Sequence, residues 1–124
     1  MKDNRPVNLD IGTIQLPITA IASILHRASG VFLVAGVALL LWALDASLAS
    51  EESFNNVSAV LDGFFVKLII WAVLAGLIYH SAAGVKHLIM DLGIGETMEG
   101  GVMGAKLVFA ATAVLVILVG ALLW

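Results

Sequence analysis

No cysteine occurs in the 124 residues, so disulfides, thiol chemistry and thiolate-held iron–sulfur clusters are excluded from this chain, while the redox compartment stays open. Charge is nearly as scarce. Asp, Glu, Lys and Arg make up 12% of the residues and the formal net charge is -3, which offers no basic face to a nucleic acid. No glycine-rich dinucleotide fingerprint follows a strand-like run, and neither an internal repeat nor a low-complexity segment breaks the chain. What abounds is apolar: 61% of residues, with a mean hydropathy of +1.09, outside the balance of a soluble globular domain. Three membrane helices of about 20 residues each would use roughly half of this length and leave no room for a separate catalytic domain.

The runs are arranged accordingly, and the expected fold is an all-α integral membrane protein with three transmembrane helices. A polar start, Met1 to Gln15, gives way after Pro17 to an apolar stretch without an acidic residue until Asp45, read as a first span over 18–44. The second span is read over 64–90, and the third over 107–124, where no ionisable group occurs and a Trp closes the run at a position suited to the interface. Ser47 to Ser58 reads as a short polar connector. Gly93 to Gly104 holds five glycines and reads as a turn-rich loop. The small residues of Ala46 to Ser50 resemble a signal-peptidase site, but the polar leader is long, the apolar run exceeds a signal core, and Arg27 lies inside the helix; the expectation is an uncleaved span.

Basic residues set the expected orientation, because cytoplasmic flanks carry their excess. Lys2, Arg5, Arg27, Lys86 and Lys106 fall before or within the start of span one, or around the loop between spans two and three. Only Lys67 falls on the other side, where Asp45, Glu51, Glu52 and Asp62 gather. The amino terminus is therefore expected in the cytoplasm and the carboxyl terminus in the periplasm.

Ionisable residues inside a span are costly, about 2.5–3.5 kcal/mol for a central Arg on insertion scales, so each is a functional candidate. Ser23, His26, Arg27 and Gly30 share one arc of span one about 100° wide. They form a polar stripe facing something other than lipid; the alternative is that Arg27 snorkels to the headgroups. His80 lies on span two beside Gly76, Ala83 and Gly84, small residues that leave space for a flat ligand or a close helix neighbour. Two readings stay open for it, a hydrogen bond to a neighbouring helix and axial ligation of a haem iron. His87 is expected at the wet boundary with Asp91 as its hydrogen-bond partner, not as a ligand. A pocket between spans one and two, combining a hydroxyl, a cation and an imidazole, suits a quinone, whose carbonyl oxygens gain negative charge on reduction.

The segments RPVNLDI (5–11), LPITAIASILHRASGV (16–31) and YHSAAGVKHLIMDLG (79–93) closely resemble the cytochrome b, or large membrane-anchor, subunit of bacterial succinate dehydrogenase, respiratory complex II. The most specific elements are S-x-x-H-R on span one and H-x6-H-x3-D on span two. The resemblance implies pairing with a second three-helix anchor subunit, a shared haem b with one axial His from each anchor, and docking of flavoprotein and iron–sulfur subunits on the cytoplasmic face of the bacterial inner membrane. It implies His80 as the haem iron ligand, Ser23 and Arg27 as ubiquinone-site residues, and His26 with Arg27 as the neighbourhood of the haem propionates. The complex would oxidise succinate elsewhere and pass electrons to ubiquinone here, joining the tricarboxylic acid cycle to electron transport; this chain would hold no catalytic residue for succinate itself. Two other roles are a fumarate reductase anchor and a purely structural anchor without a redox group. A channel or proton pump would want ionisable residues through the whole membrane depth, and span three has none.

Overall fold

The computed structural model describes Val7, Leu9, Asp10 and residues 12–124; Lys2 and Arg5, used above for orientation, lie outside the described residues, as does part of the 5–11 segment. Among the described residues all regular structure is helical: α1 (Ile18–Leu48), α2 (Glu51–Leu61), α3 (Phe64–Asp91) and α4 (Met98–Leu123). Three of these, α1, α3 and α4, are long and apolar enough to cross a bilayer. The chain is a multi-pass, all-α membrane protein.

α3 is the central element, packed against both α1 and α4. Without a hydrophobic drive between helices in lipid, close approach of backbones at small residues is what holds such a bundle. A Cβ on Gly36 of α1 would come within 3.0 Å of Val73, and one on Gly76 of α3 within 3.0 Å of the Phe32 ring. Two side-chain hydrogen bonds fasten the layers: the Tyr79 hydroxyl donates to the Ala22 carbonyl at 2.6 Å, and Trp71 Nε1–H to the Val116 carbonyl at 2.9 Å. Tyr79 also stacks on Phe109 of α4, with ring centroids 5.8 Å apart, so one side chain joins all three spans. At the opposite end from the histidines, Trp124 meets Phe64 and Trp71 edge-on, an aromatic group of the kind found at membrane interfaces.

Two segments differ from their sequence reading. The polar connector of Ser47 to Ser58 is mostly helix: α1 continues to Leu48, and α2 starts at once behind Ser50, whose hydroxyl accepts from the Ser53 amide at 3.0 Å while Glu51 and Glu52 occupy the first turn. A capping serine followed by acidic residues stabilises a helix start, and polarity alone did not reveal it. Ser53 then donates to the Ala46 carbonyl at 2.5 Å, folding α2 back on α1.

The glycine-rich loop is also shorter than read. Only Gly93 (φ 84°) and Gly95 (φ 71°) use left-handed backbone. Thr97 caps α4 by accepting from the Gly100 amide at 3.0 Å, and Gly100, Gly101 and Gly104 lie inside the helix, where their neighbours come too close for a Cβ or nearly so. These glycines serve packing, and α4 therefore begins nine residues before the stretch read as span three.

Candidate functional site

Ser29, His80 and Phe109 each lie eleven residues from a helix end at the same side of the bundle, the ends being Ile18, Asp91 and Met98. At 1.5 Å per residue that is about 16 Å along helices of 26 to 31 residues, which are long enough to span a bilayer with its headgroup regions, about 40–45 Å, so the three residues lie near mid-membrane. Antiparallel running of α1 and α3 brings residues 51 positions apart in sequence into contact there: Ser29 Oγ lies 2.9 Å from His80 Nδ1. Gly30 makes the approach feasible, since a Cβ at that position would stand 3.2 Å from His80 Cε1.

Hydrogen-bond roles at this contact follow from proton counting. The Ser29 hydroxyl donates its single proton to the His26 carbonyl at 2.7 Å, so toward His80 it can only accept. The same carbonyl lies 3.2 Å from His80 Nδ1, and a carbonyl never donates. Nδ1 therefore carries the proton and shares it between Ser29 Oγ and the His26 carbonyl oxygen. In a neutral imidazole this leaves the lone pair on Nε2, the arrangement by which second partners orient metal-bound histidines. His80 is half-buried, and its Nε2 has no hydrogen-bond partner among the described residues.

The other two histidines complete an array. His26 stacks on His80 with centroids 4.3 Å apart and planes 11° from parallel, and His87 packs at 5.1 Å from His26 with a 50° tilt. His26 lies opposite Gly84, where a Cβ would stand 3.6 Å from its Nε2, in ordinary contact. His87 thus turns inward to the imidazole stack; no hydrogen bond joins it to Asp91, which is exposed. That corrects the expected hydrogen-bond partner, while His87 stays within four residues of the end of α3. Among the described residues no group of three or more His, Cys, Asp or Glu side chains is placed to hold a metal ion. The rings meet by their faces and do not converge by their lone pairs, so the chain offers a metal one oriented imidazole and no cage.

The polar arc of span one is divided. A step of 100° separates His26 from Arg27; His26, Ser29 and Gly30 face α3, whereas Arg27 is exposed on the flank of α1 and Ser23 is half-buried beside it. The stacked imidazoles lie between α1 and α3, and no hydrogen bond joins Ser23 or Arg27 to His80 among the described residues. Val31 and Val34, both 77% exposed, continue the same uncovered flank. Sequence reasoning missed Ser29 and Tyr79. Ser29 was visible as a hydroxyl one turn after His26, and Tyr79 as the lone tyrosine, next to His80.

Fold and site together define a three-span membrane protein that presents one imidazole oriented by Ser29 and the His26 carbonyl at mid-bundle, beside an exposed arginine. Residues 1–119 match the family described as the succinate dehydrogenase/fumarate reductase transmembrane subunit, and the chain belongs to that family. It is 37% identical to the succinate dehydrogenase cytochrome b556 subunit of Coxiella burnetii over the whole of both chains. The subunit of the same name from Paracoccus denitrificans is 32% identical across 94% of this chain and 90% of its own. The cytochrome b560 subunit of Marchantia polymorpha is 35% identical across 75% and 72%. The chain is thus the transmembrane subunit of an enzyme and does not constitute that enzyme alone.

Proposed function

We propose that this chain binds haem b and forms part of the ubiquinone site of a succinate:ubiquinone oxidoreductase. It shares both sites with a second membrane-anchor subunit and docks the iron–sulfur and flavoprotein subunits on the cytoplasmic side of a bacterial inner membrane. The whole of 1–124 acts as one membrane-anchor unit, with its amino terminus in the cytoplasm and its carboxyl terminus in the periplasm. The observation that carries this reading is the pair of oxygens, Ser29 Oγ and the His26 carbonyl, at 2.9 and 3.2 Å from His80 Nδ1.

The residues present suit a haem. An isolated imidazole cannot hold a metal ion that needs several protein ligands, but it would suit the iron of a haem, which needs few ligands from the protein. When bound, the haem supplies a one-electron carrier within the membrane. His80 binds the iron through Nε2, while Ser29 and the His26 carbonyl hold the ring in the required tautomer. His26 and Arg27, on adjoining faces of α1, would form the neighbourhood of the haem propionates. The exposed Arg27 guanidinium and the half-buried Ser23 hydroxyl hold a carbonyl oxygen of ubiquinone and stabilise the negative charge it gains on reduction. Since α3 does not cover that flank of α1, the opposite wall of the quinone site comes from another subunit, which also removes the membrane cost of an unsatisfied arginine.

The family's description covers both succinate dehydrogenase and fumarate reductase, so the same parts running in the opposite direction constitute the second reading; the type of quinone that co-purifies separates the two. The test of the main reading is a reduced-minus-oxidised spectrum of the purified complex. A b-type signal that disappears in His80→Ala supports ligation. A signal that survives this change removes the ligand role from His80, and its absence from the unaltered complex favours a purely structural anchor.

A further inference from the structure

On the far side of α3 from the imidazoles, an open groove of about 470 Å³ runs between α3 and α4. Its walls are apolar, among them Ala82, Ile89, Leu107 and Val108, and its one charged lining residue is Lys86. The floor is glycine: Gly95, Gly100 and Gly104 all reach it. The Lys86 stem lies across Gly104, where a Cβ would stand 3.0 Å from Cε and 3.5 Å from Cδ.

Lys86 is half-buried, and no carboxylate among the described residues pairs with it, whereas Lys67 at the other end of α3 reaches Asp62 at 3.0 Å. Helix geometry explains the difference. Asp91 is five residues on, about 140° around α3, and Glu99 is five residues before Gly104, about 140° around α4, so both point away from the groove. Lys86 lies five residues, about 7.5 Å, from the end of α3, a depth at which headgroup phosphates meet acyl chains.

We propose that this groove is a binding site for an anionic phospholipid, one acyl chain lying against the apolar walls between α3 and α4 and the phosphate diester accepting hydrogen bonds from the Lys86 ammonium. Charge complementarity selects this occupant. An apolar trough alone takes any chain, but an unpaired cation at its polar end favours a lipid of net negative charge, and basic pockets between membrane helices recognise such headgroups. Gly104 matters because it lets the Lys86 stem lie flat along the wall. The site is separate from the haem reading and does not depend on it.

The experiment uses the complex purified through a tag on this chain with the subunits that accompany it, exposed to phosphatidylglycerol or phosphatidylcholine bearing the same photoreactive acyl chain. Phosphatidylglycerol is expected to label peptides of 82–111 about fivefold more than phosphatidylcholine, the preference one basic side chain near a membrane surface confers. Lys86→Gln removes that preference and Lys67→Gln retains it. Should Lys86→Gln fail to assemble, Gly104→Ala gives the second reading, because its Cβ displaces the lysine stem; it lowers the preference and Lys86→Arg preserves it. Equal labelling by the two lipids overturns the proposal, as does a preference indifferent to Lys86 and Gly104. Absence of label from 82–111, the result if a carboxylate-bearing neighbouring subunit covers the groove, overturns it as well. The haem spectrum, recorded on the same samples, reports independently on His80.

Discussion

Replacing Ser29 by Ala removes one of the two acceptors that share the His80 Nδ1 proton and leaves the His26 carbonyl at 3.2 Å as the other. The lost bond is the shorter, at 2.9 Å, and a neutral hydrogen bond of this kind contributes about 0.5–1.5 kcal/mol net. Only the part that differs between the two oxidation states moves a potential. Withdrawing an acceptor from Nδ1–H makes the imidazole a weaker electron donor at Nε2, which disfavours the ferric iron more than the ferrous, so the midpoint potential rises. If the whole of about 1 kcal/mol were differential, the shift would be about 43 mV for one electron; that is the ceiling, and a rise of roughly 10–40 mV is expected. Ser29→Thr retains a hydroxyl and is expected to stay nearer the parent value. A redox titration followed at the b-type absorption band measures both variants, with haem content determined on the same preparations. An unchanged or lowered potential in Ser29→Ala at full haem content would refute the tautomer argument.

Other outcomes bear on packing and on the quinone reading. Arg27→Ala and Ser23→Ala are expected to lower succinate-to-ubiquinone turnover by on the order of 100-fold and to leave reduction of a water-soluble dye intact; equal loss of both activities would show a folding or assembly defect instead. Tyr79→Phe removes the 2.6 Å bond to the Ala22 carbonyl but keeps the stack on Phe109, so thermal unfolding of the complex should register a loss of about 0.6–1.7 kcal/mol with the haem spectrum unshifted. Gly36→Val places new carbons where a single Cβ already stands 3.0 Å from Val73, and overpacking of this sort costs about 1–3 kcal/mol; the yield of intact complex should fall, whereas Val31→Ala on the uncovered flank of α1 should not reduce packing within this chain.

The three spans were legible because each is a continuous apolar run, and His80 because a lone ionisable group in such a run is conspicuous. The motif match brought the family within reach for the same reason: S-x-x-H-R and H-x6-H-x3-D are local patterns. Polar segments were less legible. Ser47 to Ser58 has the composition of a loop, and only the conjunction of a Ser50 cap with Glu51 and Glu52 reveals a helix. The glycines after Gly95 suggested turns, but their reason for being glycine is Thr19, Lys86 and the Gly95 backbone pressing on α4, neighbours that no window along the chain contains.

What the sequence by itself determined is membrane residence, the number of crossings and the short list of polar residues that lipid would not tolerate, because solubility in hydrocarbon depends on composition and run length alone. Tertiary structure decided how those polar residues are used. It divided the arc of span one between α3 and an open flank, turned His87 inward to the imidazole stack, and set the proton of His80 on Nδ1 through partners 51 and 54 positions away. Such choices depend on the register of one helix against another, and register is settled by where Gly30, Gly36 and Gly76 let backbones approach.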